Sequence, residues 1–133
     1  ADIVGQIDSF EAATAAGIEV FGLEDMARKP KFLSVRRSFN RAIFDVITFY
    51  FADPIIREAA LNAPAEVNAA YDALWQSSEE FVRAVESTTK TIYATHTRFS
   101  LWGSALRDAL GLGYNVPSLD TLTNRIVFKG FWR

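Results

Sequence analysis

A single histidine, a few clustered carboxylates, one short glycine-containing run and a block of cations are the parts of this 133-residue chain whose side chains could do chemistry. His96 could serve as a general base or a metal ligand. It has no second histidine, however, and no carboxylate three or four residues on to complete a helical metal pair. On a helical wheel it falls with Ser100, Gly103 and Arg107, which reads as a polar surface face. Glu79, Glu80 and Glu86 could pair for acid–base work, but their spacing fits a solvated helix face better. "GLGYN" at 111–115 is too short for a dinucleotide loop and follows a helix instead of preceding one, so it reads as a helix stop. No serine sits in a tight glycine-flanked turn of the kind that exposes a nucleophile.

The cations form a clearer pattern. Between Met26 and Phe44 lie Arg28, Lys29, Lys31, Arg36, Arg37 and Arg41 with no acid among them, whereas the rest of the chain holds 8 cations and all 16 acids. Charge separated in this way steers anionic partners. The segment is therefore the candidate contact to phosphate or to an acidic protein surface, with a solvated connection as the competing reading. Contacts to phosphate would position the chain without reading a base sequence and would weaken steeply with salt. Arg125, Lys129 and Arg133 make a thinner second set on the tail.

Composition bounds the setting of these residues. Half the chain is hydrophobic, with 11 Phe, 4 Tyr and 3 Trp, enough to bury a core. The absence of cysteine removes disulfides and thiolate metal sites. The longest nearly unbroken apolar run, residues 42–51, is about half of what a membrane span needs. Together with the lack of a signal-peptide pattern, this leads to the expectation of a soluble, cytoplasmic chain with no membrane partner and no cofactor. The first residue is Ala, and the chain is read as a fragment or subunit of something larger.

The elements that must position the cations read as helices. Ile3, Ile7, Phe10 and Thr14 recur at helical spacing amid alanines, predicting a helix over 3–21 that stops at Gly22. Residues 22–33 read as a connection broken by Pro30. Ser34 or Ser38 is expected to cap a greasy helix over 38–51. Its apolar face is Phe39, Ile43, Val46, Ile47 and Tyr50, and its one polar stripe is Arg37, Arg41, Asp45 and Thr48. Asp53–Pro54 starts a short helix ending near Asn62. Pro64 starts the next, with a break at 76–78 where Ser77 and Glu80 resemble a capping box. Ser87 or Thr88 is expected to cap a last helix whose buried stripe is Ile92, Thr95, Phe99, Trp102, Leu106 and Leu110, closed by Gly111. "RIVFKGFW" alternates as a strand does and is read as a lone strand without a partner in this chain, either packed as an extended arm or belonging to a sheet supplied by a partner. The expectation is one all-α domain over 1–133: a bundle of five or six helices over 1–111, then a loop and extended tail over 112–133.

"VFGLEDMARKPKFLSVRRSFNRAIFDVITFYFAD" resembles the segment that follows the catalytic domain in GmrSD-type defence proteins, the group with a ParB/sulfiredoxin-like N-terminal domain. The similarity rests on a basic loop leading into Asn40, Arg41, Ala42, Ile43, Phe44 and Asp45. Downstream it rests on Phe81, Ala84 and Thr88, then Arg98, Phe99 and Trp102, so it covers about residues 18–110. The family's Asp-Gly-Gln-Gln-Arg-like nucleotide loop and a His-Asn nuclease motif are both absent from this sequence. The resemblance therefore implies a non-catalytic helical module of a DNA-targeting restriction or antiphage protein. Its expected partners are a catalytic domain or subunit of the same system and DNA. Two other readings stand beside it: a protein–protein adaptor, including a homodimer, and a helical enzyme with a dispersed site.

Overall fold

The computed structural model describes residues 3–33, 37–87, 91–128 and 130–132. The described residues form six helices and one two-stranded antiparallel sheet, the all-α architecture expected from the spacing of apolar residues. The helices are α1 (Ile3–Phe21), α2 (Arg41–Phe51), α3 (Pro54–Asn62), α4 (Pro64–Ser77), α5 (Glu79–Glu86) and α6 (Ile92–Leu110), followed by β1 (Ser118–Asp120) and β2 (Arg125–Val127). The chain divides into two compact units, Ala1–Ala69 and Ala70–Arg133, with α4 running from one into the other.

In the first unit α1, α2 and α3 pack on one another. Ile43, Val46, Ile47, Tyr50 and Phe51 of α2 are fully buried, which makes α2 the centre of this unit. The face of α1 that meets it is small: Ala13, Ala16 and Gly17, then Val20 and Phe21. A Cβ at Gly17 would meet Met26 Cε, the end of a flexible side chain, so an added methyl there would require Met26 to move aside. The small side chains let the two backbones approach, and Phe21 then stacks on Phe51 with ring centroids 6.5 Å apart. Ile3, Ile7 and Phe10, which share a line at helical spacing, stay exposed.

The start of α2 lies later than its composition suggests. Asn40, not a serine, is the cap: its side chain accepts from the Ile43 N–H at 3.0 Å. Ser38 precedes the helix and Ser34 lies outside the described residues. Asp53 caps α3 by accepting from the Ile55 and Ile56 amides, with Pro54 in the first turn as expected. Asn68 on α4 donates from Nδ2 to the Val20 carbonyl at 2.8 Å, satisfying a carbonyl at the C-terminal end of α1.

The second unit is built on aromatic rings. Tyr71 and Trp75 of α4, Phe81 of α5 and Trp102 of α6 meet edge to face at centroid distances of 5.6–6.3 Å. The break between α4 and α5 falls where expected, although Ser78 rather than Ser77 makes the cap, accepting from Phe81 N. At the next junction Ser87 closes α5, Thr91 caps α6, and Thr88 lies outside the described residues. The buried stripe of α6 is correspondingly rotated: Ala94, Thr97, Arg98, Trp102, Gly103 and Leu106 are buried, while Ile92 is exposed and Phe99 only partly covered. Arg98 holds its place by donating to the Ala84 carbonyl at 2.9 Å and to Thr95 Oγ1 at 3.3 Å. Gly111 ends α6 in the left-handed conformation (φ 66°), which glycine adopts without a Cβ penalty.

The tail strand finds its partner within the chain. β2 pairs with β1, Leu119 opposite Ile126, so the expectation of a lone arm is corrected. The turn that joins them was the missing piece: Asp120 Oδ1 accepts from Leu122 N at 2.9 Å, and this bond holds the Asp120 carboxyl below the ordinary aspartate range. Beyond the hairpin Phe131 stacks on Tyr114 at 5.0 Å, and the Tyr114 hydroxyl donates to the Gly103 carbonyl at 2.6 Å.

Candidate functional site

The basic segment is built as a folded connection between α1 and α2. It turns sharply at Ala27, a buried non-glycine residue in the left-handed conformation (φ 61°), which costs about 1–2 kcal/mol. The turn is held because Asn40 N–H donates to the Ala27 carbonyl at 2.8 Å, clamping the connection at both ends. Arg28 donates from one guanidinium nitrogen to the Arg37 carbonyl at 2.6 Å. Arg37 reaches back to Asp25 Oδ1 at 2.8 Å and to the Lys29 carbonyl at 3.2 Å. Only about 15 % of the Arg37 side chain is exposed.

The six cations therefore do different things. Arg28 and Arg37 spend hydrogen bonds on the connection itself. Arg41 pairs with Asp45 one turn along α2 at 2.8 Å. That hydrogen bond, and then the carboxylate's charge, raises the Arg41 guanidinium further above its ordinary value. Its side chain stays 80 % exposed. Lys29 is partly covered, Lys31 is exposed in the turn after Pro30, and Arg36 lies outside the described residues, as do Lys129 and Arg133 of the tail set. The polar stripe expected along α2 is reduced to Arg41 and Asp45. Arg37 precedes the helix, and Thr48 is buried with its hydroxyl donating to the Phe44 carbonyl.

A guanidinium that bonds a carboxylate and a backbone carbonyl inside a turn is part of the fold. Arg37→Ala is accordingly expected to lower the stability of the first unit by about 1–2 kcal/mol, read from urea unfolding. A variant as stable as the parent would show that the Asp25 and Lys29 bonds contribute nothing.

His96 is not on open surface. Its Nε2 lies 3.1 Å from the Pro117 carbonyl and 2.9 Å from Ser100 Oγ. A carbonyl oxygen can only accept, so this geometry calls for the tautomer with hydrogen on Nε2. That nitrogen then cannot take a proton from Ser100. The pair clamps the loop after α6 to the helix and does not make an activated nucleophile. Of the three carboxylates, Glu79 and Glu80 share a cleft elsewhere and Glu86 is not part of its lining. Glu79, Glu80, Arg83, Tyr93 and Thr97 line a cleft of about 370 Å³ between α5 and α6, where the Tyr93 hydroxyl donates to Glu80 Oε1 at 3.2 Å. His96 is not part of its lining. Among the described residues no group of three or more His, Asp or Glu side chains converges as a metal site would require.

The feature that composition and periodicity did not flag as functional is apolar. Ile3 is 74 % exposed, Ile7 51 %, Phe10 53 % and Phe39 51 %. The available signal was the run of small residues from Ala12, which marks the C-terminal half of α1 as the part that packs closely and leaves the larger residues of the N-terminal half uncovered. No helix among the described residues is long and apolar enough to cross a membrane. Comparison with protein-family models, with curated proteins and with solved structures returns no match.

Proposed function

We propose that this chain is a non-catalytic helical module that docks onto a protein partner. In the setting implied by its resemblance to GmrSD-type proteins, that partner is a catalytic domain or subunit of a DNA-targeting defence system. The observation that carries the reading is the line of large apolar side chains held exposed on α1 and beside α2. The largest apolar patch on a folded chain is often a functional one. Ile7 carrying a photo-reactive substituent is expected to give one discrete protein adduct in the source cells, and the same substituent at Arg83, exposed in the second unit, is expected to give none. No adduct at Ile7, or identical adducts at both positions, would remove the reading.

A second reading, contact with nucleic acid, is favoured by the exposure of Lys31 and Arg41. It is tested by titrating the chain with duplex DNA over a salt series. Lys31→Ala is expected to weaken binding uniformly across sequences and to reduce the logarithmic salt slope by about one. An unchanged slope would exclude Lys31 as a phosphate contact.

A further inference from the structure

The exposed apolar line of α1 has a direction, a width and a charge, and together they define what fits it. With about 100° of rotation per residue, Ile3, Ile7 and Phe10 point along one line of α1, and the buried Gly17 and Phe21 continue close to that line further along the helix. The C-terminal half of that line is packed in the first unit's core, and its N-terminal half stays uncovered. It is also continuous with the surface of α2. Phe10 meets Phe44 edge on at 6.0 Å, and Phe44 meets Phe39 at 5.3 Å. An unbroken apolar strip therefore runs from the first turn of α1 to the residue before the α2 cap.

Its size suits a helix better than a globular face. The exposed parts of Ile3, Val4, Ile7, Phe10 and Phe39 amount to about 500 Å², below the roughly 800 Å² per partner of a standard protein–protein interface. Anchors at i, i+4 and i+7 are the spacing by which one helix reads another.

The charge selects the partner. Helix α1 carries Asp8, Glu11 and Glu19 and no cation, and Asp8 and Glu11 are exposed on the border of the strip next to Val4. On the α2 side the exposed Arg41 and Asp45 neutralise each other. A second copy with its α1 laid along this α1 would set Asp8 and Glu11 against their own counterparts with no α1 cation to offset them, and like charges across an interface oppose association.

We propose that the strip formed by Ile3, Ile7, Phe10, Phe44 and Phe39 is the docking site for a basic amphipathic helix, with an apolar seam to cover the strip and Lys or Arg to meet Asp8 and Glu11. This rests on the docking reading above and names the chemistry of the partner. The test uses the whole chain and two labelled peptides with the same leucine seam, one flanked by lysines and the other by glutamates, followed by fluorescence anisotropy. The lysine peptide is expected to bind at least tenfold more tightly, with the difference shrinking in high salt. Ile7→Asp is expected to weaken that binding at least tenfold, and Asp8→Asn with Glu11→Gln to reduce the preference between the peptides. Far-ultraviolet circular dichroism of each variant is expected to match the parent, since the altered side chains are exposed. Equal binding of the two peptides, no binding of either, or binding indifferent to Ile7→Asp overturns the proposal. So does concentration-dependent dimerisation in light scattering that Ile7→Asp abolishes, because the occupant would then be a second copy. An Ile7 adduct in cells with no preference between the peptides would leave the docking reading standing and remove this one alone.

Discussion

Trp102→Ala is expected to lower the stability of the second unit by about 3–5 kcal/mol, the usual cost of truncating a buried tryptophan. Trp102 is fully buried on α6, and Tyr71 meets its ring nearly perpendicularly at 5.7 Å. Tyr71 in turn contacts Trp75, and Trp75 contacts Phe81, so Trp102 forms the α6 end of a chain of rings that runs through α4 to α5. Alanine would take away the partner of the Tyr71 ring and leave a cavity in a close-packed interior that relaxes only in part. The readout is urea unfolding combined with amide exchange. Protection is expected to fall first over the later part of α4 and over α5 and α6. A loss below about 1 kcal/mol would mean that the aromatic cluster is not the core of this unit.

Phe51→Ala is the corresponding experiment in the first unit, with a similar expected loss of about 3–5 kcal/mol. Phe51 is fully buried at the end of α2 and stacks on Phe21 of α1 at an interplanar angle of 18°. It thereby joins the two helices that also carry the proposed docking strip. Amide exchange is expected to loosen α1 and α2 and to leave α6 protected. If both variants instead lower protection evenly across the chain, residues 1–69 and 70–133 unfold as one cooperative body, and the single domain expected from sequence is the right description of its thermodynamics. The Ile7→Asp variant serves as the control, since an exposed site lies outside these mechanisms of large destabilisation.

Helix type and number were legible because they depend on local chemistry. The Asp53–Pro54 start of α3, the Pro64 start of α4, the break near residue 77 and the Gly111 stop each act within one turn of chain, through an orphan amide, a missing N–H or a left-handed backbone. The centrality of α2 was legible as well, because a helix apolar on nearly all sides must be surrounded. Where several residues could do the same local job, the local rule did not choose between them. Ser34, Ser38 and Asn40 can all cap a helix, and the bond from Asn40 N–H to the Ala27 carbonyl selects Asn40.

Tertiary structure decided the rest, through contacts between residues distant in the chain. Periodicity defines a stripe on α6 but not its rotation against α5, and so it did not reveal that Arg98 would be buried beneath Ala84 while Ile92 faces solvent. Alternation identified a strand in the tail, and only the Asp120 turn supplied its partner. The block of six cations is plain in the amino-acid order, yet its division into fold-forming Arg28 and Arg37, paired Arg41 and exposed Lys31 depends on which carbonyls and carboxylates the turn at Ala27 brings within reach. The sequence by itself thus determined that this protein is a set of helices around a Phe-rich centre. The packing of the C-terminal half of α1 against α2 decided which large ones were left outside, because the small residues that let the two backbones close lie from Ala13 onward and Ile3, Ile7 and Phe10 lie before them.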